Sequence, residues 1–183
     1  MSEPLTAARR ISEPFLKAHL ALWLVKRGAT SIVVSVDGAE PQPVDVPEVL
    51  AAAGHTRQSQ TTRPDWTGVF QSTGAHDIRV VSRPGVDIDA TLPDGRRLVG
   101  ECKGEVTPTG VRSGLDRTAV YTALGQLIYT AGAHDPLPDI LLLALPRTAR
   151  CEGFATTLTH NPLLADWNLE VVLVNHAGTV ALL

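Results

Sequence analysis

The sequence predicts one α/β domain, a mixed central β-sheet flanked by helices. Three observations lead there. Residues 86–103 alternate apolar and polar side chains, the period-two pattern of half-buried strands. From Leu115 to Ala131, apolar residues recur with helical spacing (Leu115, Ala119, Ala123, Leu124, Leu127, Ile128, Ala131). Ile140–Leu145 (ILLLAL) is then a continuous apolar run stopped by Pro146, as expected of an inner, parallel strand buried on both faces. A strand–helix–strand crossover therefore joins 101–103 to 140–145, and the amphipathic segments around it cover both sheet faces.

The other elements follow in order. Ser12 is a good N-cap, with Glu13 and Pro14 in the first turn and Gly28 closing a helix. Phe15, Leu16, Leu20, Trp23 and Leu24 form its apolar stripe. Ser31–Val36 reads as a strand. Residues 39–47 carry three prolines and form a connector, and 47–53 give one or two helical turns ended by Gly54. Residues 55–65 read as a polar exposed loop, able to touch a phosphate backbone but equally at home in solvent. Trp66–Gln71 and Ile78–Ser82 read as short strands around a turn at Gly74. Trp66 offers either a stacking surface for a base or cover for the core. After Pro146, residues 150–167 are weakly helical with a break at Asn161-Pro162, and Leu169–Val174 and Thr179–Leu183 form a terminal strand pair. Residues 146–183 thus make a C-terminal helix and strands.

The length suits one domain with a sizeable core. A net charge of −3 argues against a strongly basic, nonspecific nucleic-acid coat, though not against a local basic groove. The hydrophobic run near the start carries Lys17, His19, Lys26 and Arg27, too much charge for a membrane span or a signal peptide. Two cysteines, Cys102 and Cys151, make neither a disulfide framework nor a zinc site, which fits a reducing cytoplasm.

The chemistry concentrates in the hairpin. Pro93-Asp94-Gly95 suits a three-residue loop, with Gly95 in the left-handed position. That loop pairs Leu92 with Arg96 and sets Asp87 opposite Glu101, with Lys103 one step along and Val86, Ile88, Gly100 and Cys102 on an apolar face. A two-residue Asp94-Gly95 loop would instead put the two carboxylates on opposite faces. Facing carboxylates repel unless a cation intervenes, and a hard, oxygen-seeking ion such as Mg²⁺ resolves the conflict. The plainer alternative is a solvated hairpin face with a Glu-Lys surface pair. Asp89 shares the face and is a candidate either as the ligand itself or as a second one. Glu13 is either a helix-dipole residue or an outer member of the acidic site. Arg96, Arg97, Arg112 and Arg117 flank the motif and are candidates for phosphate contact.

Gly85-Val86-Asp87, then Glu101-Cys102-Lys103, then Gln126 within Ala123–Tyr129 (ALGQLIY) resemble the PD-(D/E)xK nuclease superfamily, in its Mrr-like and RecB-like branches. The resemblance covers about 13–145, with 39–74 as an insertion and 146–183 outside it. The resemblance implies a restriction-endonuclease-like core and Mg²⁺- or Mn²⁺-dependent hydrolysis of DNA, in restriction, phage defence or repair. It implies that Asp87 and Glu101 hold the metal with the main-chain carbonyl of Cys102. Lys103 would activate the attacking water, and Gln126 would support the lysine or the metal-bound water. Glu13 resembles the first-helix acid of some branches. Asp87 follows Gly-Val rather than a proline directly, with Pro84 near, and Tyr129 lies one residue closer to Gln126 than in the RecB-like spacing. Cutting a duplex suggests a homodimer or a larger defence or repair complex, with no membrane involved. The competing expectation is a catalytically silent nucleic-acid-binding or assembly subunit of the same fold.

Overall fold

A computed structural model of the chain describes residues 11–36, 46–59, 67–73, 76–105 and 117–183. It is an α/β structure with a nine-stranded mixed sheet and helices on both faces. The strands are β1 (Ser31–Ser35), β2 (Thr56–Ser59), β3 (Gly68–Gln71), β4 (Ile78–Val81), β5 (Ile88–Thr91), β6 (Arg97–Cys102), β7 (Ile140–Pro146), β8 (Leu169–Val174) and β9 (Val180–Leu182). Their order across the sheet is β2-β3-β4-β1-β5-β6-β7-β8-β9. The helices are α1 (Glu13–Lys26), α2 (Val46–Ala52), α3 (Arg117–Gly132) and α4 (Ala149–Thr159). A 3₁₀ turn at Pro162–Trp167 follows the break at Asn161.

The expected crossover is present. β6, β7 and β8 run parallel, and every residue of β7 is buried, as its unbroken apolar run requires. Two apolar clusters fill the two faces. Leu16, Leu20 and Leu24 of α1 and Leu50 of α2 pack with Ile32, Ile88, Leu98, Cys102 and Leu142. Val120, Leu124 and Leu127 of α3 and Cys151 and Leu158 of α4 pack with Val99, Leu143 and Val171 on the other side.

Helix α1 starts and stops where its sequence says. The Ser12 hydroxyl accepts a hydrogen bond from the Phe15 N–H, and Gly28 takes a positive φ of 78° just past the end. Within the expected loop at 55–65, Thr56–Ser59 instead pairs antiparallel with β3 as an outer strand, and 60–65 lie outside the described residues. It is largely exposed, so no apolar alternation marks it. Trp66, Gly74 and Arg112 lie outside the described residues.

The hairpin has the three-residue loop. The Leu92 N–H donates to the Arg96 carbonyl, Gly95 has φ 85°, and the ladder pairs Ile88 with Gly100, Asp89 with Val99, and Ala90 with Leu98. Val86 corrects the expectation of a shared apolar face with Ile88. It is buried with Val99 and Leu143, while Ile88 and Cys102 lie in the opposite cluster. Strand β5 begins only at Ile88, and Gly85, at φ 134°, turns the chain just before it. Strict alternation therefore does not extend back to Val86.

Candidate metal centre

The end of β6 is where the chemistry gathers. The register that pairs Ile88 with Gly100 would next set residue 86 against Cys102. Instead, the Cys102 N–H donates to Asp87 Oδ2 at 2.8 Å. The aspartate carboxylate thus takes over a ladder position where β5 and β6 part. A ladder residue presents its N–H and C=O to the same neighbour, so the Cys102 carbonyl faces the same opening. Glu101 is the preceding residue and is buried.

Helix α1 supplies the rest. Lys17 Nζ lies 2.6 Å from Asp87 Oδ1 and 3.0 Å from Glu13 Oε1. Lys103 Nζ lies 3.9 Å from Glu13 Oε2. Glu13 therefore belongs to the acidic site as well as to the first turn of its helix. The helix is fastened to the end of β6 by two hydrogen bonds. The Ile11 N–H donates to Glu105 Oε2, and the Glu105 N–H donates to the Ile11 carbonyl. Between them Gly104 touches the backbone of Ser12 and Glu13 so closely that a β-carbon would overlap it.

Burial and mutual repulsion dominate the electrostatics. Burial, followed by the charges of Asp87 and Glu13, pushes the Glu101 carboxyl up to about 8, with Lys17 and Lys103 offsetting part of the rise. Burial pushes Asp87 up to about 6, against the pull of Lys17. Burial disfavours the Lys17 charge, but Asp87 and Glu13 outweigh it and hold the ammonium above its ordinary range. Fully ionised, the three carboxylates would exceed the two lysines by one charge, and without a further cation a proton held on Glu101 relieves that excess. That imbalance, on hard oxygen donors, fits a divalent cation such as Mg²⁺. Among the described residues no group of three His, Cys, Asp or Glu side chains is placed to hold a metal ion. The fit rests on Asp87, Glu101 and a main-chain carbonyl, with Glu13 turned to the lysines.

A pH dependence follows. An unfolded Glu101 ionises near 4.5 and the folded one near 8, so the folded chain holds this proton more tightly. Its contribution to stability is complete below about 4.5 and is lost as pH rises towards 8; Asp87 acts in the same sense between about 4 and 6. In chelator, the melting temperature of Glu101→Gln relative to wild type should therefore rise from pH 5 to pH 8. A constant difference across that series would contradict the assigned environment.

The other candidates are placed as follows. Asp89, a candidate as the ligand itself or as a second one, is paired with Arg97. Arg97 Nε and Nη2 hold it bidentately at 3.0 and 2.7 Å, and Nη2 also lies 3.1 Å from His134 Nδ1. Arg97 opens β6, roughly 13 Å along the strand from Glu101 at about 3.3 Å per residue. Arg96 is paired with Asp94 in the turn, and Arg117 is exposed at the start of α3. Gln126 is exposed on α3 and, among the described residues, forms no hydrogen bond with Asp87, Glu101 or Lys103. Tyr129 is also exposed, at 84%.

Lys17 is the site residue that sequence reasoning missed. It lies four residues after Glu13 and on the same stripe as Leu20 and Leu24. A lysine on the apolar face of a helix, one turn from an acid, was the available signal. Comparison of the chain with protein-family models, curated proteins and solved structures finds no match.

Proposed function

We propose that the chain is a metal-dependent nuclease of the PD-(D/E)xK type, hydrolysing phosphodiester bonds in DNA with Mg²⁺ or Mn²⁺. The observation that carries this reading is that the Asp87 carboxylate accepts from the Cys102 N–H where β5 and β6 part, with Glu101 and Lys103 on either side of that residue and the charges of Asp87 and Lys103 both acting on Glu101. The chain order adds support: helix α1, strand β1, the β5–β6 hairpin, crossover helix α3 and parallel strand β7. That is the order implied by the resemblance to a restriction-endonuclease-like core.

In this reading Asp87, Glu101 and the Cys102 carbonyl hold the ion. When bound, it supplies positive charge to the phosphate and lowers the pKa of an attacking water. Lys103 orients that water and adds charge where the transition state becomes more negative. Asp87 is itself oriented by the Cys102 N–H and Lys17. Gln126, exposed on α3, acts only if substrate or metal binding brings its side chain to the β6 end. Arg96, Arg97, Arg112 and Arg117 are proposed phosphate contacts, with Arg97 less available because of its grip on Asp89. The buried, free Cys102 and Cys151 suit a reducing cytoplasm, and no helix among the described residues is long and apolar enough to cross a membrane. Duplex cutting would pair two such centres in a homodimer or a larger defence or repair complex.

One observation favours the second reading, a silent nucleic-acid-binding or assembly subunit: both oxygens of Asp87 already have protein partners. Incubation with supercoiled, linear and branched DNA, in Mg²⁺ and in chelator, separates the two. Metal-dependent conversion of plasmid to nicked or linear product supports the nuclease. Metal binding without any cleavage supports the silent subunit.

A further inference from the structure

Lys17 is among the largest fully buried side chains of the described residues, at 1% exposure, and its ammonium bridges two carboxylates. A lysine that merely braced a helix would need one acid, and Glu13 at i−4 already provides it. The second contact, to Asp87 at 2.6 Å, reaches across to the sheet and is the shorter of the two. The ammonium therefore stands between an acid of the helix and an acid of the sheet, where a cation would have to join them.

Resting on the nuclease reading, we propose that Lys17 is a built-in cation that takes the place of a second divalent ion between Asp87 and Glu13, making this a one-ion centre. Three features support it. The site is rigid: the Ile11–Glu105 bonds and the Gly104 contact hold the first turn of α1 against β6, so the ammonium is delivered to a fixed point. The oxygens that would bridge a second ion, Glu13 Oε1 and Asp87 Oδ1, are taken up by the ammonium, while Asp87 Oδ2 accepts one hydrogen bond from the Cys102 N–H and keeps a lone pair for the first ion. Among the described residues Glu101 is the one carboxylate of the three with no lysine within ion-pair distance, which leaves it for the exchangeable ion. A covalently attached charge also acts whatever the concentration of free metal. Lys17 is in this account a positioning residue: it holds Asp87 and never touches substrate.

Equilibrium dialysis against Mn²⁺ tests this by stoichiometry, which a merely structural lysine would not change. Wild type should bind one ion per chain. Lys17→Met should bind two, the second filling the vacated position. Glu13→Gln/Lys17→Met, which removes an acid with the cation, should return to one and guards against instability of the single variant. Two ions in wild type, one in Lys17→Met, or a Lys17→Met chain that stays unfolded in saturating Mn²⁺ would each overturn the proposal while leaving the nuclease reading intact. No ion bound to wild type would overturn both.

Discussion

Replacing Lys103 by alanine is expected to slow Mg²⁺-dependent plasmid cleavage by about 10²–10³, the usual loss on removing one group that stabilises transition-state charge. Folding should be nearly unaffected. The side chain is 29% exposed and its one ion pair among the described residues, to Glu13, is a loose 3.9 Å. Its structural hydrogen bond runs from the main-chain N–H to the Ala144 carbonyl and survives the substitution. The change in stability should stay within about 0.5–1 kcal/mol. Initial rates of supercoil loss and a urea melt measure the two quantities. Wild-type cleavage by the variant would remove Lys103 from the mechanism, and a large stability loss would make it a structural residue.

The second large effect is on stability. In chelator, Lys17→Met should lose about 3–5 kcal/mol, because removing one partner of a buried pair strands the other charge. Asp87 is also buried, so water cannot make up the loss. Glu13→Gln should cost much less, since that side chain is 25% exposed and the Lys17–Asp87 contact remains. Lys17→Met/Asp87→Leu should recover part of the deficit, because it replaces both charges with apolar groups but leaves the buried Cys102 N–H without its acceptor. Urea denaturation of the four chains decides the matter. A Lys17→Met chain as stable as wild type would show that the ammonium compensates nothing.

Local chemistry made much of this legible in the sequence. Pro93-Asp94-Gly95 specified the loop, the loop specified the register, and the register put Asp87 at the Glu101 end of β6. The buried apolar run at 140–145 announced a parallel inner strand. What stayed hidden depends on partners far along the chain. Period-two alternation says which face Asp89 shares, not that Arg97, diagonally across the ladder, would claim it. The same alternation misplaced Val86, because a turn at Gly85 ends the regular strand. Strand β2 carries no apolar signal because it is an exposed edge. Lys17 reads as one more helix charge until Asp87, 70 positions later, is brought beside it.

The clasp between Ile11 and Glu105 joins residues 94 positions apart. During synthesis the first helix must therefore wait, its lysine and glutamate without their mates, until the strand bearing Glu101 has emerged. Closing so long a loop is slow. The cluster of acids and lysines is thus among the later parts to mature, and a half-made chain would carry these charges unassembled.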